Sequence, residues 1–160
     1  MGDSHRLLVT EESGRLARWL RLMGYDVAMG APRPLAALYR QAYNESRTII
    51  TRNRRVQPGR LIRVVHLSSA QLAEQLRQLM RELGLRVEPG QAFSRCDICN
   101  VAVEPVEKAA VKDRVPPYVF ETQPAFHRCP VCQRVYWAAT HYDRARRFFD
   151  TLSPRGSGAW

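Results

Sequence analysis

The chain has 160 residues, 45% of them hydrophobic, with 25 Lys+Arg against 15 Asp+Glu for a formal net charge of +10. That apolar content excludes a disordered tail, and no window approaches the roughly 18 apolar residues of a membrane-spanning helix. Met1 to His5 is polar and lacks an apolar run, which predicts no secretory signal peptide. The basic excess is nearly all arginine, only Lys108 and Lys112 being lysine. Between Arg40 and Arg63 stand seven arginines and one acid, Glu45. Such a stretch reads either as a solvated face or as a surface for a polyanion, and nucleic acid is the commonest polyanion.

Leu7-Leu8-Val9 predicts a short buried strand. Gly14 to Met23 follows as a helix with Leu16, Trp19, Leu20 and Met23 on one face and Arg15, Arg18 and Arg21 elsewhere. Gly24 is placed to end it in a left-handed turn. Pro34 opens a second helix whose apolar face is Leu35, Leu38, Tyr39 and Ala42. Thr48-Ile49-Ile50 and residues 61–67 predict two more strands. Ser68, with Gln71 three residues on, predicts a capping box for a helix over 69–83 carrying Leu72, Leu76, Leu79 and Leu83. Strands separated by helices imply a mostly parallel sheet covered by helices. The site of such a sheet lies beyond the carboxyl ends of its strands, here Val9 to Glu12, Thr51 to Arg55 and Leu67 to Ser69. Pro89-Gly90 marks a boundary, giving an α/β domain over 1–90, a second region over 91–150 with a C-terminal helix, and a disordered tail over 151–160.

All four cysteines fall in two C-x-x-C pairs, Cys96/Cys99 and Cys129/Cys132, separated by 29 residues. Each pair predicts a knuckle that aims two thiolates at one point, and two knuckles supply the tetrahedral sulfurs of a closed structural zinc site. Val101 to Val106 and Tyr118 to Thr122 predict the strands of a ribbon between them. Two disulfides or a thioredoxin-like pair are the competing readings, and neither explains two matched knuckles. A site with no open position folds the ribbon and takes no part in catalysis. His127 is placed as a neighbour or substitute ligand, and His141 as a packed or hydrogen-bonded side chain.

Taken together, Gly14-Arg-Leu-Ala-Arg-Trp-Leu-Arg21, Gly24-Tyr-Asp26, Thr51-Arg-Asn53, the two knuckles, Val106-Glu-Lys108, Asp113-Arg-Val-Pro-Pro-Tyr118 and Val135-Tyr-Trp137 resemble the Mut-seven C-terminal ribonuclease domain family over roughly residues 6–150. The resemblance implies a PIN-like three-layer α/β domain with a mostly parallel sheet, followed by a small zinc ribbon, acting on or near RNA. It also implies carboxylates at the sheet's carboxyl edge that hold Mg²⁺ or Mn²⁺ and activate water. Where the family has an acid before the first helix, this chain has Thr10. Where the second helix has acids, it has Ala36 and Ala37, and after the Thr-Arg of the later strand it has Asn53. Asparagine and threonine bring no charge to concentrate a cation or acidify bound water.

The expected function is therefore an RNA-binding PIN-like protein with a degenerate nuclease site, in a ribonucleoprotein such as the ribosome. Its expected contacts are Arg15, Arg18, Arg52, Arg54, Arg55 and Arg60, with Tyr118 or Tyr136 offered for stacking. One alternative is an active metal-dependent endoribonuclease using Glu11, Glu12 and Asp26; against it, Glu11 and Glu12 read as a surface turn favouring the next helix N-terminus. A second alternative is a protein adaptor docking through the ribbon. Paired thiolates at metal spacing point to a reducing compartment, the cytoplasm.

Overall fold

The computed structural model describes residues 5–30, 34–138 and 140–152. The chain divides into two compact units, residues 1–100 and 101–160. The first unit runs β1 (Arg6–Thr10), α1 (Gly14–Leu22), β2 (Asp26–Gly30), α2 (Leu35–Asn44), β3 (Thr48–Thr51), β4 (Val64–His66) and α3 (Leu72–Leu83). Its sheet has the order β2-β1-β3-β4, and every neighbouring pair is parallel. Leu7, Leu8, Val9, Ile49 and Ile50 are fully buried, because helices cover both faces of the strands. Leu8 and Ile49 pack with Leu38 and Ala42 of α2 and with Val56. Helix α1 packs on β1, β2 and α3.

Three expectations change in this unit. Asp26–Gly30 is an edge strand that the sequence hid, because Val27 is its only β-branched residue. Gly30 closes it where α2 comes near: a Cβ there would stand 2.4 Å from Leu38 Cδ1. The strand expected over 61–67 shortens to Val64–His66, since residues 52–63 form a strap returning the chain from β3 to β4 without a helix. The Ser68/Gln71 capping box does not form. Instead the Gln71 amide donates to Ser69 Oγ, Ser68 bonds Gln78 Oε1, and the helix starts at Leu72. Gly24 ends its helix with a φ of 97°, as expected, and Gly84 ends α3 with a φ of 69°. A Cβ on Gly24 would also meet the Gln91 carbonyl oxygen at 2.5 Å, so this turn demands glycine twice over.

The second unit holds a three-stranded antiparallel sheet, β5 (Glu104–Val106), β6 (Phe126–Arg128) and β7 (Val135–Tyr136), in that order. A 3₁₀ segment over Lys108–Arg114 and α4 (Pro117–Thr122) link β5 to β6, and α5 (Thr140–Leu152) follows β7. Its core is Val111, Val115 and Phe126, with Val106, Val119, Phe120, Val135 and Trp137 packed against them. The strand expected over Tyr118–Thr122 is the helix α4: Pro117 sits at its first position, where a fixed φ favours a helix and no N–H is missed. Helix α5 continues through Thr151 and a buried Leu152, both assigned to the tail by the sequence. Residues 153–160 lie outside the described residues, as does the side chain of His141.

Candidate functional site

The parallel register puts Thr10, Gly30, Thr51 and His66 at the carboxyl ends of β1 to β4. Thr10 and Thr51 are buried there, and Thr10 Oγ1 lies 2.9 Å from Thr51 Oγ1. Glu12, on a 3₁₀ turn over Glu11–Ser13, folds back over them. Its Oε1 accepts from Thr10 Oγ1 at 2.5 Å, Thr51 Oγ1 at 2.9 Å and the Arg52 amide at 3.2 Å. Burial opposes ionisation of Glu12. The bonds from Thr10, the Glu12 and Arg52 amides and Thr51 outweigh it, and the carboxyl titrates below the ordinary glutamate value. Glu12 thus stands at the edge where the resemblance places an acid and is hydrogen-bonded to it, while remaining exposed on the surface turn like Glu11.

The neutral positions are accounted for individually. The Asn53 side chain closes its own turn, its Oδ1 accepting from the Arg55 amide at 3.0 Å. Ala36 and Ala37 stand in the first turn of α2.

Asp26 is at the other end of the sheet. It pairs in register with Arg6, whereas Thr10 pairs with Gly30. Four residues at ~3.3 Å each separate Asp26 from the edge that holds Glu12, about 13 Å. One metal ion cannot be shared across that distance, so the set Glu11, Glu12 and Asp26 is not assembled. Asp26 instead anchors a network. Arg47, buried among the strand ends, donates to Asp26 Oδ1 at 2.8 Å and to the Leu7 carbonyl at 3.2 Å. Asn100 Nδ2 donates to Asp26 Oδ1 at 2.7 Å, and Arg6 Nε reaches Oδ2 at 3.3 Å. Burial alone raises the Asp26 pKa. The bonds from Arg47 and Asn100, the charge of Arg47 and the bond from Arg6 pull it down to about 2.

The four cysteine Sγ atoms all lie within 4.8 Å of one another. Zinc with ~2.3 Å bonds to sulfur sets tetrahedron edges of about 3.8 Å, so the thiolates need only a small contraction to close on the ion. The two knuckles share one geometry. The Cys99 amide donates to Cys96 Sγ at 3.3 Å and the Cys132 amide to Cys129 Sγ at 3.5 Å. Asn100 and Gln133, next after each pair, are left-handed with φ of 62° and 61°, and their amides donate to the carbonyls of Cys96 and Cys129. Such turns aim backbone amides at the sulfurs and gather them at one point, and these residues would hold Zn²⁺. His127 lies exposed on β6, outside the sulfur cluster.

The sequence set Arg21 apart from its helix's apolar face, yet it is buried and reaches the first knuckle. Its guanidinium donates to the Val27 carbonyl at 2.8 and 2.9 Å and to the carbonyls of Asp97 and Ile98 at 3.0 and 2.9 Å. Arg18, expected on RNA, is paired with Asp97 of the same knuckle at 2.7 Å. Arg15, Arg52, Arg54, Arg55 and Arg60 are exposed, and among the described residues none of them is in an ion pair. Tyr118 is exposed on α4 and Tyr136 partly buried on β7.

Among known families, the model described as the Mut7-C RNAse domain matches residues 5–149. No curated protein and no solved structure matches the chain.

Proposed function

We propose that this chain, which belongs to the Mut7-C RNAse domain family, binds RNA without metal-dependent cleavage. The observation that carries the reading is the carboxyl edge itself. Glu12 is the carboxylate hydrogen-bonded into that edge, and one of its oxygens already serves three donors. Asp26 is held at the opposite edge by Arg47 and Asn100. A two-metal nuclease needs several carboxylates converging on ions ~3.5–4 Å apart, and these residues do not fit such a pair. Exposed arginines beside the same edge favour phosphate. A ribonucleoprotein, the ribosome among them, is the setting we propose, in the reducing cytoplasm where zinc thiolates persist.

The test is incubation of the zinc-loaded protein with RNA in Mg²⁺ or Mn²⁺ against EDTA, with Glu12→Gln alongside and gel shifts at two salt concentrations. The expected result is no metal-dependent cutting and binding that weakens about 10³-fold or more between 50 and 200 mM salt, as six or more phosphate contacts require. Cutting lost in Glu12→Gln would overturn this reading and assign the site to an endoribonuclease built on Glu12. Neither cutting nor binding would leave a protein adaptor acting through the ribbon. Glu12→Gln keeps an acceptor oxygen for the threonines, so its stability should stay within about 1 kcal/mol of the parent.

A further inference from the structure

We infer that the strap over residues 52–63 is built for the phosphate backbone of double-stranded RNA rather than for single strands. This deepens the RNA-binding reading and rests on it. The strap holds five arginines, 52, 54, 55, 60 and 63, and no acid. All five are exposed, and Arg63 is tied to the Glu82 carbonyl at 3.0 Å.

The backbone beneath them is fixed. Val56 is fully buried in the core under α2. Tyr39 Oη accepts from the Gln57 amide at 2.7 Å and donates to the Gln57 carbonyl at 3.1 Å. His66 Nε2 lies 2.7 Å from the Val56 carbonyl, Gln57 Nε2 donates to the Arg54 carbonyl at 2.6 Å, and Gly59 and Ile62 exchange both backbone bonds. Because β3 and β4 are parallel and adjacent, the strap must travel back along the sheet from its carboxyl to its amino edge. Its arginines are therefore strung along that path, from Arg52 next to the carboxyl end of β3 to Arg63 next to the amino end of β4.

A single strand must be ordered on binding, and proteins that bind it recover that cost by stacking bases on aromatic side chains. The strap contains no aromatic residue, and its exposed apolar side chain is Leu61. A duplex is ordered beforehand and offers rows of phosphates and 2′-hydroxyls that arginines carried on a fixed backbone can follow. Preorganised partners on both sides leave little freedom to lose on association.

The experiment is fluorescence anisotropy of the full zinc-loaded chain with a blunt RNA duplex of about 16 base pairs, its separate single strand, and a DNA duplex of the same sequence. The expected result is at least tenfold tighter binding to the RNA duplex than to either other probe. Arg54→Ala/Arg55→Ala should weaken duplex binding tenfold or more and lower the slope of log affinity against log salt by about two. Arg77→Ala, which removes one charge from a partly buried position of α3 paired with Glu74, should leave binding nearly unchanged. Equal or tighter binding to the single strand, equal binding to the DNA duplex, or equal loss in Arg77→Ala would each overturn the inference while RNA binding stands. Binding to none of the probes would instead defeat the RNA reading itself.

Discussion

The two ends of the parallel sheet handle charge in opposite ways. At the amino edge, Asp26, the buried Arg47, Arg6 and Asn100 satisfy one another, and Asp26 is ionised down to a pH of about 2. At the carboxyl edge, two buried threonines receive one bent-back glutamate, and the neighbouring arginines stay exposed. The amino edge has the marks of a structural joint, where a lost partner strands a charge. The carboxyl edge has the marks of a surface, where side chains can change at little cost to folding. The acidic motif residue of the sequence therefore belongs to the scaffold.

The comparison breaks most visibly if the metal is removed. The first knuckle is held to the α/β unit by Arg21, Arg18 and Asn100, and the Asn100 side chain also accepts from the Val27 amide at 2.8 Å. Structural zinc contributes on the order of 10 kcal/mol in small domains. Chelation should therefore collapse the ribbon and speed hydrogen exchange at Val27, while the Leu67 amide, bonded to Thr51 across β3 and β4, exchanges as before. Equal acceleration at both amides, read by NMR, would show that the two edges melt together.

Next in size is Arg47→Met. It leaves Asp26 partly buried with Arg6 and Asn100 but without its buried cation, and such a break costs about 3–5 kcal/mol, to be read from urea midpoints. Duplex RNA affinity should not change, whereas Arg54→Ala/Arg55→Ala should do the reverse. The smallest effect is with pH. Asp26 has its pKa depressed from 3.8 to about 2, so its contribution is present above pH 3.8 and is lost as pH falls toward 2. That shift corresponds to about 2 kcal/mol. Asp26→Asn should lower stability at pH 7 by that order and flatten its decline between pH 4 and 2. An unchanged acid limb would remove Asp26 from the joint.

Some of this arrangement is legible in the sequence because it rests on local pattern. The apolar runs at Leu7–Val9 and Thr48–Ile50, the leucine spacing of α3 and the C-x-x-C pairs each carry their signal within a few residues. What escaped depends on partners far along the chain. Arg21 reads as a surface residue until residues 97 and 98 supply the carbonyls that hold it. Glu12 is held against the sheet edge because Thr51, 39 positions later, brings a hydroxyl to it. Strand β2 carries a single β-branched residue, Val27, and opens on Asp26, whose partner Arg47 lies 21 positions later. Tyr118–Thr122 has strand-forming residues, yet two prolines before it set a helix.

The strap also divides the sheet in time. Ile49 pairs with Val64 only 15 positions away, and Arg6 with Asp26 at 20, while Leu7 and Thr48 must meet across 41. Each half, β1–α1–β2 and β3–strap–β4, can close early because its contacts are short in sequence, and the β1–β3 seam is the slow event that joins them. Arg47 donates across that seam to Leu7 and Asp26. Its removal should therefore lower the folding rate as well as the final stability, whereas exchanging the strap's arginines leaves the order of assembly alone.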